Sequence, residues 1–154
     1  MKGLPSIIRA IRQRYLATGQ AASAYEINDG LCEAFAHDVL EVLGYPDNVR
    51  DLQNENFMCG EDGDPVGAEC WDGNLLEARW GIKPPAGLTW EAVDNLDFGN
   101  HVWLEHEGRH YDAECPDGVV SPFELPIFAR VIERALAGEI EHPSHCQTYE
   151  GFAP

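Results

Sequence analysis

Apolar residues recur along this chain in two rhythms, one suited to helices and one to strands. In LPSIIRAIRQRYLATG, Ile7, Ile8, Ile11, Tyr15 and Leu16 return at helical spacing, with Arg9, Arg12 and Arg14 between them. That is an amphipathic helix. A membrane-surface helix has the same pattern, but basic residues are scarce elsewhere, so it reads as an N-terminal helix docked on the core. From Cys32, the residues Phe35, Ala36, Val39, Leu40 and Leu43 follow three, four, seven, eight and eleven positions on. They make one continuous apolar face headed by the cysteine, with Glu33, His37, Asp38 and Glu41 on the other side. LTWEAVDNL reads as a short helix capped by Thr89. SPFELPIFARVIERALAG opens with Ser121 as N-cap, Pro122 at the first helical position and Glu124 completing a capping box. Pro126 divides it into one turn and a longer helix ending at Gly138.

Strand periodicity is confined to HVWLEHEGRHYDAE. Two alternating runs flank Glu107-Gly108, a two-residue turn in which glycine supplies positive φ. The register then pairs His106 with Arg109, Glu105 with His110, Leu104 with Tyr111, Trp103 with Asp112 and His101 with Glu114. Alternation places His101, Trp103, Glu105, His110, Asp112 and Glu114 on one face, and Val102, Leu104, Tyr111 and Ala113 on the other. A large aromatic on the first face argues that this face is partly covered. His106 and His110 are read as exposed bystanders. The remaining stretches lack periodicity. Residues 46–74, rich in Asp, Asn, Gly and Glu, read as an acidic loop insertion, and the chain after 138 as a surface tail. The acidic piece GEDGDP lacks the spaced ligands and closing Glu of a calcium loop. Residues 1–154 are read as a single domain, long enough to bury a core without staples.

Charge narrows the functions. Ten basic residues against twenty-seven acidic ones give a formal charge of −17, which repels a phosphate backbone and argues against nucleic acid as a partner. The N-terminus does not read as a secretory signal, and no apolar run approaches the about 18 residues of a membrane span. The five cysteines, an odd number without a CxxC pair, fit reduced thiols in a cytoplasm. Cys59 and Cys70, or His142, His145 and Cys146, form at most a loose zinc set without the tight ligand pairs of a structural site.

Cys32 therefore carries the sharpest question. A cysteine on a buried helical stripe is most often a small hydrophobe that fills space. At a first turn, however, unpaired N–H groups and the helix dipole stabilise the thiolate, which is the reactive form. A nucleophile also needs a base. His101 and Asp112 are diagonal neighbours on one face of the hairpin, about 7–8 Å apart or less at Cβ. An imidazole and a carboxylate bridge that span, so Asp112 can orient His101 toward a thiol. Glu114, directly across from His101, is the rival orienter. His37 faces away from the stripe that Cys32 heads.

These segments resemble a known family. GLCEAFAHDVLEVLGYP is similar to the nucleophile segment of transglutaminase-like proteins of the papain-like cysteine protease superfamily, with Gly30, Cys32, Ala36, Leu43, Gly44 and Pro46 matching its pattern. HVWLE resembles the histidine strand through His101, Trp103 and Glu105, and YDAE resembles the strand that brings in Asp112. The resemblance covers these three pieces, in the order Cys, His, Asp. It implies an α+β, papain-like fold in which the nucleophile-bearing helix packs on an antiparallel sheet. It also implies acyl transfer through a thioester, ending in hydrolysis, deamidation or cross-linking of an amide; a peptide or protein substrate is expected, and no metal or cofactor. Two departures stand out: the long interval between Cys32 and His101, and the lack of an evident upstream oxyanion donor, for which Asn28 and Gln20 are candidates beside the Cys32 N–H.

The expectation is a cysteine-dependent hydrolase or acyltransferase acting on an amide or isopeptide bond through Cys32, His101 and Asp112, in a small bacterial or phage member of the superfamily. The competing reading is a non-enzymatic acidic binding module on the same scaffold, such as a phage accessory protein.

Overall fold

The computed structural model describes residues 3–54 and 81–139. Its fold is α+β: helices with a small three-stranded antiparallel sheet of order β1-β2-β3. The chain divides into two compact units, one built from residues 3–54 and 100–127, the other including residues 81–99 and 128–139.

In the first unit, α1 (Leu4–Ala17) buries Leu4, Ile7, Ile8, Ile11 and Tyr15, the stripe expected from its periodicity. The short α2 (Ala24–Asn28) starts at Ser23, whose side chain accepts from the Glu26 N–H. Next, α3 (Cys32–Leu43) buries Phe35, Ala36, Val39 and Leu40 and ends at Gly44, which takes the left-handed conformation at φ 82°. Glycine is favoured there because it has no Cβ to clash. Tyr15 docks α1 on α3: its ring meets Phe35 edge to face with centroids 5.5 Å apart, and its hydroxyl donates to Asp38 Oδ2 at 2.6 Å. Burial, followed by that hydrogen bond, raises the Tyr15 pKa to about 12.

The sheet corrects part of the sequence reading. β1 (Val49–Gln53) lies inside the stretch expected to be loop and pairs antiparallel with β2 (Val102–His106), Val49 opposite His106 and Gln53 opposite Val102. Only Val49 and Leu52 are buried along β1, so the strand carries no clean alternation. Its partner enters about fifty residues later, out of reach of any local pattern. The Arg50–Glu105 ion pair, 2.8 Å, ties the two strands across the ladder. Of the expected insertion, residues 55–74 lie outside the described residues, as do Cys59, Cys70, His142, His145, Cys146 and the tail from 140 on.

β2 and β3 (Arg109–Tyr111) form the hairpin in the expected register, Leu104 opposite Tyr111 and His106 opposite Arg109. The turn has φ 50° at Glu107 and φ 80° at Gly108, the two positive values of a type I′ turn. Residues 102–105 of β2 are all buried, so neither face of this strand is a solvated ribbon. One face, through Val102 and Leu104, joins the cluster formed by α1, α3 and Tyr111. His110 is likewise buried, at 2 % exposure, contrary to its expected place in solvent. The segment after β3 folds back, and His110 and Val119 exchange both backbone hydrogen bonds, at 2.8 and 2.9 Å. Gly118 permits that approach: a Cβ there would lie 2.5 Å from the Tyr111 ring.

The helix-start signature at Ser121 is realised as a 3₁₀ turn, Pro122–Glu124, with the complete capping box. Pro126 opens the next helix, α5 (Pro126–Leu136). In the second unit, α4 (Trp90–Asp94) is capped as expected by Thr89, which accepts from the Ala92 N–H at 3.1 Å. Phe98 meets Phe128 edge to face. Among the described residues no helix is long and apolar enough to cross a membrane.

Candidate active site

The start of α3 and the two ends of the β2–β3 hairpin carry Cys32, His101 and Asp112, all in the first unit. Cys32 is the first residue of α3, half-buried at the edge of the core. His101 stands one residue before β2, fully buried. Its backbone is held by Asn54: the His101 N–H donates to Asn54 Oδ1 at 2.6 Å, and the Asn54 N–H donates to the His101 carbonyl at 3.3 Å. Asn54 is itself fully buried. It lies one residue past β1, in the stretch that sequence periodicity left blank.

Asp112 follows β3 and ends the ladder. Rather than pairing with Trp103, it opens a tight turn in which Asp112 and Cys115 exchange backbone hydrogen bonds. Its Oδ1 accepts the backbone N–H groups of Glu114 and Cys115, both at 2.9 Å. The other oxygen, Oδ2, lies 3.0 Å from His101 Nε2. A carboxylate can only accept, so Nε2 carries the proton and Nδ1 is the nitrogen assigned to the thiol. Glu114, the rival orienter, is turned elsewhere: its Oε2 accepts from Asn28 Nδ2 at 3.0 Å.

The electrostatics match this geometry. Burial pushes the Cys32 thiol up. Hydrogen bonding and charge from His101 act against burial, together with the backbone N–H groups of Val102 and of Glu33 at the helix start. They win, and the thiol titrates below its ordinary value. For His101, burial pushes the imidazole down, while hydrogen bonds and charge from Asp112 and Cys32 outweigh it and leave it raised. An acid lowered and a base raised, each by the other, have the electrostatics of a pair that exchanges a proton.

A second buried histidine completes the neighbourhood. Trp103 lies on His101 with near-parallel rings, 18° apart in orientation and 6.0 Å between centroids. Its indole N–H donates to His110 Nδ1 at 3.1 Å. Of the two oxyanion candidates, Gln20 is exposed, and the Asn28 amide is engaged with Glu114. Sequence reasoning missed Asn54 and undervalued His110. His37, Asp38 and Glu41 form the one group spaced to hold a cation among the described residues. Two of its three donors are already engaged, His37 Nε2 with the Tyr45 hydroxyl and Asp38 with Arg14 and Tyr15.

No family model, curated protein or solved structure matches the chain.

Proposed function

We propose that this protein is a cysteine-dependent acyl-transfer enzyme of the transglutaminase-like, papain-like type, a hydrolase or acyltransferase acting on an amide or isopeptide bond of a peptide or protein. The observation that carries the reading is the convergence of Cys32, His101 and Asp112, with Asp112 held 3.0 Å from His101 Nε2 and the thiol lowered against the ring.

In the proposed reaction the Cys32 thiol passes its proton to His101 Nδ1, and the thiolate attacks the amide carbon. The resulting imidazolium protonates the leaving nitrogen as the C–N bond breaks, which leaves an acyl thioester on Sγ. His101 then takes a proton from an incoming water or amine, which attacks the thioester and releases an acid or a new amide together with the regenerated thiol. Asp112 holds the ring and favours its charged form throughout. The helix start contributes as well, because the Glu33 N–H and the helix dipole stabilise the sulfur anion.

Iodoacetamide labelling of Cys32 over a pH series tests this reading. Cys32 is expected to react well below the about 8.5 of an ordinary thiol. His101→Ala should slow labelling at neutral pH by about 100-fold. Labelling at the rate of unfolded-state cysteines, or indifference to His101→Ala, would reject the enzyme in favour of an acidic binding module.

A further inference from the structure

The hydrogen bonds around Asp112 continue past the three proposed catalytic residues. Asn28 is the last residue of α2 and is 2 % exposed. It stands four residues before Cys32, and the chain between them turns through Gly30, at φ 151°, while the Leu31 N–H donates to the Ile27 carbonyl. The side chain points the linkage the other way. Its Nδ2 donates to Glu114 Oε2 at 3.0 Å, and a carboxylate, which only accepts, fixes which end of the amide faces it. Glu114 in turn gives its backbone N–H to Asp112 Oδ1 at 2.9 Å. With Oδ1 held by the turn, Oδ2 is directed to His101.

Hydrogen bonds therefore run from Asn28 through Glu114 and Asp112 to His101, whose ring acts on the Cys32 thiol, and the chain itself leads from Cys32 back to Asn28. The amide is kept at a cost. Asn28 Oδ1 is buried and makes no hydrogen bond among the described residues, an arrangement that an apolar residue at the end of α2 would avoid. What the amide supplies is a charge-assisted hydrogen bond to Glu114, and through it a fixed distance between the segment leading into the nucleophile helix and the turn that aims the carboxylate.

We infer that Asn28 is a positioning residue for the triad: acting through Glu114, it holds the Asp112 turn, and with it the His101 ring, in place against Cys32. The inference rests on the acyl-transfer reading and deepens it. The Asn28 amide bonds to Glu114 and reaches His101 only through it. It acts on alignment, and small misplacements of a catalytic group lower rates sharply.

The test uses the full chain and two readouts, the pH profile of Cys32 labelling by iodoacetamide and the urea midpoint. Asn28→Ala and Glu114→Ala are each expected to slow labelling at neutral pH by about 10-fold and to move the profile toward that of an ordinary thiol. The double variant should be no slower than the slower single one, because both break the same link. Glu114→Gln, which keeps a carbonyl to accept from Asn28, should stay within about threefold of the parent. A lowered urea midpoint with an unchanged labelling profile for both alanine variants would overturn the inference and leave Asn28 a structural residue. If Asn28→Ala fails to fold, Glu114→Ala gives the same readout from a half-buried turn. His101→Ala separates the two levels. If it slows labelling and the Asn28 and Glu114 variants do not, this inference alone fails. If it has no effect, the acyl-transfer reading fails with it.

Discussion

Two buried histidines on adjoining segments of one hairpin end with opposite acid–base character. His101 and His110 are both withdrawn from water, at 0 % and 2 % exposure. Burial pushes each imidazole down, because it penalises the charged form. At His101 the Asp112 carboxylate and the Cys32 thiol reverse that effect and raise the ring above its ordinary value. At His110 nothing comparable does. Glu105, opposite it in the ladder, pulls its pKa up, but Glu105 is paired with Arg50, which pulls it down, and burial prevails at about 4. His110 is neutral at ordinary pH and serves as an acceptor for the Trp103 indole. The difference teaches that a buried imidazole becomes a base through one well-aimed carboxylate rather than through burial. On the proposed acyl-transfer reading, the Asp112 turn is what makes His101 the base.

The largest expected effect comes from removing that distinction. Asp112→Asn keeps an oxygen for the turn N–H groups but offers an N–H where His101 Nε2 needs an acceptor. The His101 pKa should then fall in the direction of His110. Cys32 labelling at neutral pH should drop by about 100-fold, or about 2.7 kcal/mol of barrier. Proton titration of the histidine resonances, read beside the labelling rate, checks both at once. A His101 that titrates unchanged would show that Asp112 is not what raises it.

Stability against pH gives the next effect, with opposite signs for the two rings. His110 titrates at about 4 when folded against 6.5 when unfolded. The unfolded chain therefore binds the extra proton in that window, and stability falls as the pH drops from 6.5 toward 4. The gap between the two values sets the size of that loss. His101, raised in the folded state, contributes the reverse: its stabilisation is complete below 6.5 and fades as the pH rises through its folded value. Urea midpoints measured across this range should show the acid loss shrink in His110→Asn, a residue that does not titrate and keeps an acceptor for Trp103. An acid loss of unchanged size would mean that carboxylates elsewhere dominate it.

The two histidines also mark what could be read from sequence. Period-two alternation and the Glu107-Gly108 turn gave the register of the hairpin from Leu104–Tyr111 to His106–Arg109, and helical counting put Cys32 at the head of a buried stripe. These are local regularities, each contained within a dozen or so residues. What escaped was everything supplied from a distance. β1 pairs with a strand about fifty residues away, and Asn54 reaches His101 through that pairing. His110 is covered by a return of the chain at Val119 that no alternation encodes. The ladder was extended past its end at Leu104–Tyr111, to Trp103–Asp112 and His101–Glu114, because a turn opened by an Asp side chain accepting its neighbours' N–H groups reads locally like the end of a strand. Asp112 nevertheless meets His101, reaching it from the turn as it would have from the strand.

The smallest expected effect tests whether the two histidines are coupled through the ring between them. Trp103 touches both, stacked beside His101 and donating to His110 Nδ1. Trp103→Phe keeps an aromatic ring beside His101 and removes the donor. His110 Nδ1 then loses its partner inside the protein, at a cost of about 1–3 kcal/mol in the urea midpoint. Cys32 labelling should change by less than about threefold, since Asp112, and not the indole, holds Nε2. A larger fall in labelling, with His101 titrating lower, would mean that the Trp103–His110 bond also positions the base and that the two histidines act as one unit.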